Sequence, residues 1–299
     1  MLEFGALPCD SECFFSLAPA HLEGPALPPS GTCHLFVQAF DDEVWGNGGS
    51  DGYQFWETCV DWDTPANSTF TTGSRVPTAE FDAELCGLDP CVPQPGTSVK
   101  LETLSQFTMN RFVVRYLSGT GPPPGLRGVV SHTVDLGGNQ AGVRWVQFDL
   151  SNSGGIAIEN TGTLDLEDHL HRWMPAAGMD SVGDVALVYS RSGQSSYPSV
   201  YFTGRQADDP AGTLRDESSC IDGTGIQWTG DGRWGDYASV SVDPTDRCTF
   251  WMTNEYVETT GAVDWDTRIC TFRFDRCGEF IFGDFLETGD TSVWTETQP

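Results

Sequence analysis

Basic side chains are nearly missing from this chain of 299 residues. Of 15 basic residues only Lys100 is a lysine, and 43 acidic residues set the formal net charge at −28. That balance opposes nucleic acid and anionic membrane surfaces, both of which call for a basic face. Long apolar runs are absent too: none approaches the roughly 18–20 residues of a membrane-spanning helix, so no membrane insertion is expected. Helix signals are scarce, because 34 glycines and 18 prolines interrupt the chain throughout. No G-x-S-x-G elbow, phosphate-cradling P-loop or dinucleotide fingerprint occurs, which sets aside serine esterase, kinase and dehydrogenase readings. The opening MLEFGALPCDSECFFSLAPA lacks the basic, apolar and small-residue succession of a secretion signal. Either a signal has been removed or, as we expect, the chain is a fragment that begins inside a longer exported protein.

Cysteine, by contrast, is plentiful. Ten cysteines (Cys9, Cys13, Cys33, Cys59, Cys86, Cys91, Cys220, Cys248, Cys270, Cys277) lie among short strands and turns, which points to disulfides and an oxidising, secreted or cell-surface location. Zinc is the rival, but the spacings are irregular and no two C-x-x-C motifs occur. Cys86–Cys91 and Cys248–Cys277 are the first pairs expected.

Strand signals dominate the rest. HLFVQAF, YQFWETCVDW, RFVVRYL, RGVVSHTVDL, VRWVQFDL, DVALVYS, SVYFTGR, CTFWMTNEYV, RICTFRF and EFIFGDF are β-branched or aromatic and bounded by turn residues. An arginine followed by an aromatic residue recurs at Arg111, Arg172 and Arg233, each 61 residues after the last (172 − 111 = 233 − 172 = 61). Each interval holds four candidate strands, the mark of a β-propeller built from four-stranded antiparallel blades. The expectation is therefore an all-β fold in a single domain over 1–299. Within it, 1–25 would end a preceding blade, 26–98 form an irregular blade with a disulfide loop, and 99–165, 166–225 and 226–290 form regular blades. Closing a ring needs at least about four blades and more often about six or seven, so the roughly four to five expected here could form only part of one. A β-sandwich is the competing architecture but offers no reason for the interval.

DWDTPANSTFT, SHTVDLGGNQAGVRW, HRWMPAAGMDSVGDVALVYS, YPSVYFTGR and GRWGDYASVSVDPTDRCTFWMTNEY resemble a group of large exported bacterial proteins with sialidase-like (BNR-type) β-propeller regions. The resemblance covers about residues 30–280 and implies a propeller and export, with no established chemistry. The Asp-box S-x-D-x-G-x-x-W of such blades is not met; DSVGDVALVYS keeps only its Asp, Gly and apolar strand.

First strands of propeller blades line the axis, so Arg111, Arg172 and Arg233 would form a ring able to bind a small anionic ligand or a glycan. The same arginines could instead stack on aromatics or pair with Asp180, Asp236 or Asp243 to fix blade against blade. Arg144 and Arg268, on third strands, are expected to be structural.

Hydrolysis is the alternative on this scaffold. Asp236 and Glu255 are candidate carboxylates for a sialidase-like glycosidase. His132 in SHTVD is a candidate base, with Asp135 on the opposite strand face. Calcium-dependent action on esters, lactones or phosphotriesters would use axial oxygens, with Asn254 and Glu255 as candidates. His169 and His171 form an H-x-H metal candidate beside Asp165, Glu167 and Asp168, or an interblade turn. A purely structural adhesion module is the third reading.

Overall fold

Short β-branched and aromatic runs become strands here because nearly every one finds a sheet partner and a buried face. The structure, a computed structural model, describes residues 17–45, 49–117, 123–151, 154–228, 232–262, 264–275 and 277. The expected strand EFIFGDF and the opening CDSECFFS lie outside the described residues.

The first eight strands form one mixed sheet: β1 (Ala18–Glu23), β2 (His34–Phe40), β3 (Gly52–Cys59), β4 (Thr69–Pro77), β5 (Phe112–Leu117), β6 (Gly125–Asp135), β7 (Ala141–Asp149) and β8 (Ala157–Leu164). Their spatial order is β4-β3-β2-β1-β5-β6-β7-β8. The sheet is strongly curled, like half a barrel. Two antiparallel meanders meet at its centre, where β1 runs parallel to β5 with Ala20 opposite Phe112 and Glu23 opposite Arg115. Sequence reading expected separate four-stranded units; the β1–β5 pairing instead joins two meanders into one surface.

A second sheet has the order β12-β11-β10-β9, from β9 (His171–Met179), β10 (Val185–Gly193), β11 (Ser196–Arg205) and β12 (Ser218–Ile221). A third contains β13 (Ser239–Val242), β14 (Phe250–Tyr256) and β15 (Asp266–Phe272), all antiparallel. The chain is thus all-β, and the arginines of the 61-residue interval lie directly before β5 (Arg111), at the start of β9 (Arg172) and ahead of β13 (Arg233).

These layers pack in series. Tyr53 and Phe55 meet Phe112 and Phe148 between the two arms of the curled sheet. Val113, Val129 and Trp145 face Ala177, Met179 and Leu187 of the second sheet. Ala176, Ala186 and Val188, on its other side, face Val240, Phe250 and Met252 of the third. Each fully buried side chain of this size contributes about 1.5–3 kcal/mol.

A fourth cluster closes one end of the stack. Leu85, Cys91, Val92, Leu101 and Met109, from the long connection after β4, pack on Ala141, Trp173, Met174, Trp234 and Val257. Cys86–Cys91 pins this cap, and Cys248–Cys277 is also formed, as expected. Two further disulfides join Cys33 to Cys59 across the β2–β3 hairpin and Cys220 to Cys270 between β12 and β15. The four disulfides among the described residues suit an extracellular setting.

The β9–β10 turn buries two carboxyls, Asp180 and Asp184, completely. Asp180 Oδ1 accepts from the Val182 and Asp184 N–H groups at 2.9 Å each, whereas its Oδ2 has no partner. Desolvation, with Asp184 adding repulsion, pushes Asp180 up to about 7. The folded chain therefore holds a proton that the unfolded chain releases near pH 4. Stability from this group is complete below that point and is lost as pH rises through 7. Asp180→Asn should flatten the fall in unfolding midpoint between pH 5 and 8 and raise the midpoint at pH 8. Thermal unfolding across that range is the check, and an unchanged slope would remove Asp180 as its source.

Candidate functional site

Residues 226–228 and 232–237 lie between the second sheet and β13, and reciprocal bonds hold them in place. Gln94 Nε2 donates to Gln227 O and Gln94 Oε1 accepts from Gln227 N, both at 2.9 Å. Gln227 Nε2 donates to Arg233 O at 2.7 Å, Glu102 N to Gly232 O at 2.8 Å, and Trp234 Nε1 to Ser190 Oγ at 2.9 Å. Gly232 has φ +78, and a Cβ there would lie 2.3 Å from Lys100 O. Only glycine lets the cap and this segment approach so closely.

Between the segment, the cap and the start of β1 lies a cavity of about 390 Å³. Leu17, Pro19, Leu104, Phe107 and Met109 supply its apolar wall, and Thr108, Asn110, Arg233, Asp236 and Tyr237 its polar part. Thr108 is held by the Ala39 N–H at 2.7 Å, which ties the cap to β2. Tyr237 is 75% exposed, an aromatic face offered to solvent at the opening. Arg233 donates through Nη2 to both Asp236 oxygens at 2.7 Å and through Nη1 to Glu102 Oε2 at 2.9 Å.

Glu255 accepts a hydrogen bond from Gly235 N. A Cβ on Gly235 would lie 2.4 Å from the Glu255 carboxyl carbon. Its carboxyl therefore presses on the back of the segment whose front lines the cavity. Desolvation raises its pKa, the Gly235 bond opposes this, and Asp236 adds to the rise. The structure thus brings Asp236, Glu255 and Arg233 into one neighbourhood, with Glu255 behind the wall.

The three arginines of the expected ring part company. Arg111 spends Nη2 on Val240 O at 3.2 Å and Ser241 Oγ at 2.7 Å of β13, and approaches Glu23 at 3.8 Å. It ties the start of β5 to β13 and β1. Arg172 is only 1% exposed and points into a carboxylate clamp away from the cavity, with Glu217 at 2.8 Å and Asp168 at 2.7 Å. Burial alone would lower the Arg172 pKa, but its hydrogen bonds to Glu217 and Asp168 outweigh it and hold it above the ordinary value. Arg191 and Tyr189 share Glu217. Only Arg233 reaches the cavity. A converging ring fails because each guanidinium meets a different acidic or carbonyl neighbour first.

His132 cannot serve as a base on a substrate. It is fully buried, with Nε2 2.9 Å from Tyr53 Oη, and desolvation together with Arg144 pushes it down to about 3. His171 Nδ1 accepts from Ala141 N at 3.2 Å, and desolvation lowers its pKa to about 4. His169 sits in the preceding turn at φ +60. Neither histidine joins a group of three ligand atoms among the described residues. Asn254 is 3% exposed on β14, its Oδ1 accepts from Glu255 N at 2.8 Å, and it does not line the cavity. Arg144 is buried against Thr78 and Thr163, a structural place.

The described residues gather acidic oxygens elsewhere: those of Asp41, Asp42, Glu43 and Asp51 lie within 4.8 Å of one another. Asp41 already accepts from the N–H groups of Glu43, Val44 and Ala83, and Asp51 from those of Asp42 and Phe81. Those bonds clip the β2–β3 connection to residues 81–83. The hydrogen bond with Asp42 pushes Glu43 up to about 7.

Sequence reasoning missed the cap's contribution from Glu102, Phe107, Thr108 and Asn110, and missed Tyr237. The one available signal was the aromatic residue directly after Asp236 in GDYAS.

No family model matches the chain, and no curated protein matches it. Among solved structures it is similar to a protein of unknown function from Dyadobacter fermentans DSM 18053, at 11% identity and a TM-score of 0.39. That match covers 84% of this chain, which spans 59% of the other.

Removing one partner of a buried ion pair costs about 3–5 kcal/mol, while an exposed pair is worth about 0–1 kcal/mol. Arg172→Ala should therefore lower urea-unfolding stability severely, and Arg233→Ala only slightly. Equal losses in the two variants would contradict the different roles assigned here.

Proposed function

We propose that this chain is an exported, propeller-like ligand-binding module that takes a polyhydroxylated, glycan-like ligand in the cavity between β1, the cap and residues 232–237. The propeller arrangement draws support from consecutive meanders packed face to face in series, with β5 leading the second meander of the curled sheet and β9 and β13 each leading a sheet of its own. Export draws support from the four disulfides.

The observation that carries the ligand reading is the make-up of the cavity. An exposed tyrosine stands beside an apolar wall, with planar polar groups from Arg233, Asp236 and Asn110 at the opening. Sugar rings present apolar C–H faces and a fringe of hydroxyls, and such a surface pairs an aromatic face with fixed donors and acceptors. The hydrolase alternative draws on the Asp236–Glu255 proximity. Glu255 faces Gly235 rather than the cavity, so binding is favoured over turnover.

Tyr237→Ala should weaken a glycan found by array screening about tenfold or more, in line with loss of an aromatic anchor, with the melting temperature changed by no more than a few degrees. Calorimetric titration and thermal unfolding together check this. Full retention of affinity would move the site elsewhere.

A further inference from the structure

We propose that the cavity selects amino sugars carrying a free ammonium over sugars carrying carboxylate or sulfate, an inference that rests on the glycan-binding reading above. Arg233, with a side chain 54% exposed, is the cation an acidic sugar would need. Its guanidinium is already engaged by Asp236 through two oxygens and by Glu102 through a third. Among the described residues, Arg233 thus already faces two carboxylates.

An arriving carboxylate would have to displace Asp236 or Glu102 from Arg233 and leave that group facing another anion. The remaining arginine of the inner strands nearby, Arg111, is committed to Val240 and Ser241. An ammonium meets no such obstacle. Asp236 keeps a side chain 35% exposed, and each carboxylate oxygen has a second lone pair to offer. Phe107 and Tyr237 line the same cavity, and aromatic rings attract cations through their quadrupoles. The net charge of −28 reinforces the choice at longer range, because it draws cations and repels anions.

The test is calorimetric titration with three oligosaccharides of one length: a glucosamine oligomer, its N-acetylated counterpart and an oligouronate. Wild type, Asp236→Asn and, as a control for bulk charge, Asp63→Asn on the β3–β4 connection are compared at near-physiological salt, each after its melting temperature confirms folding. The glucosamine oligomer should bind about five- to tenfold more tightly than the uronate, the size of one partly shielded charge contact. Asp236→Asn should erase that preference and Asp63→Asn should keep it. Uronate binding as tight as or tighter than the amino sugar overturns the selectivity and leaves glycan binding standing. A preference that both variants shift equally also overturns it, as an effect of bulk charge. Failure of all three sugars to bind overturns the glycan reading itself.

Discussion

A strand buried on both faces needs a neighbour on each side, and β9 and β10 impose that demand on this molecule. Ala177, Met179 and Leu187 turn toward the curled sheet, while Ala176, Ala186 and Val188 turn toward the third sheet. Either layer alone would leave half of this apolar surface in water, at roughly 25 cal/mol for each Å². Serial packing follows, and the cap covers part of the resulting stack. Trp173 and Trp234, 5.8 Å apart, seal cap, second sheet and the approach to β13 into one cluster. The cavity exists because that seal stops short of the start of β1.

Much of the fold was legible from local pattern. Strand after strand matches a β-branched or aromatic run, since alternation and turn residues act over a few positions. The 61-residue interval located the approaches to β5, β9 and β13, because repeated supersecondary units repeat their entry sequences. Cys86–Cys91 was legible from its short loop. Cys220–Cys270 was not, since it joins the outer strands of two different sheets and depends on their packing. The parallel β1–β5 pairing was hidden for the same reason: its partners lie far apart, and nothing local marks a strand that will bridge two meanders.

The site was legible only in part. Asp236, Glu255 and Arg233 do share a neighbourhood, yet equivalent positions along a repeat proved a poor guide to equivalent roles. Arg172 and Arg233 both precede an aromatic residue, but Glu217 and Asp168 enclose the first whereas the second stays at the surface beside Asp236. The acidic partners sit outside the repeated phrase, so the phrase says nothing of them. His132 illustrates the same limit. Its neighbours in SHTVD suggest chemistry, while the ring's burial is set by Tyr53 and Phe81 from distant segments.

The β1–β5 junction also shapes the order in which the molecule can assemble. During synthesis β1 leaves the ribosome long before β5, so the first meander must wait with one inner edge open until its parallel neighbour has been made. Long-range pairings of this kind carry the loop-closure cost that slows β-rich chains. The half-built sheet exposes a row of unsatisfied amides and carbonyls during that interval. β1 carries charge along that vulnerable edge, with Glu23 held in the finished molecule by Arg115 at 3.3 Å. The same carboxylate that later helps stitch the two meanders together discourages a second nascent chain from pairing there first.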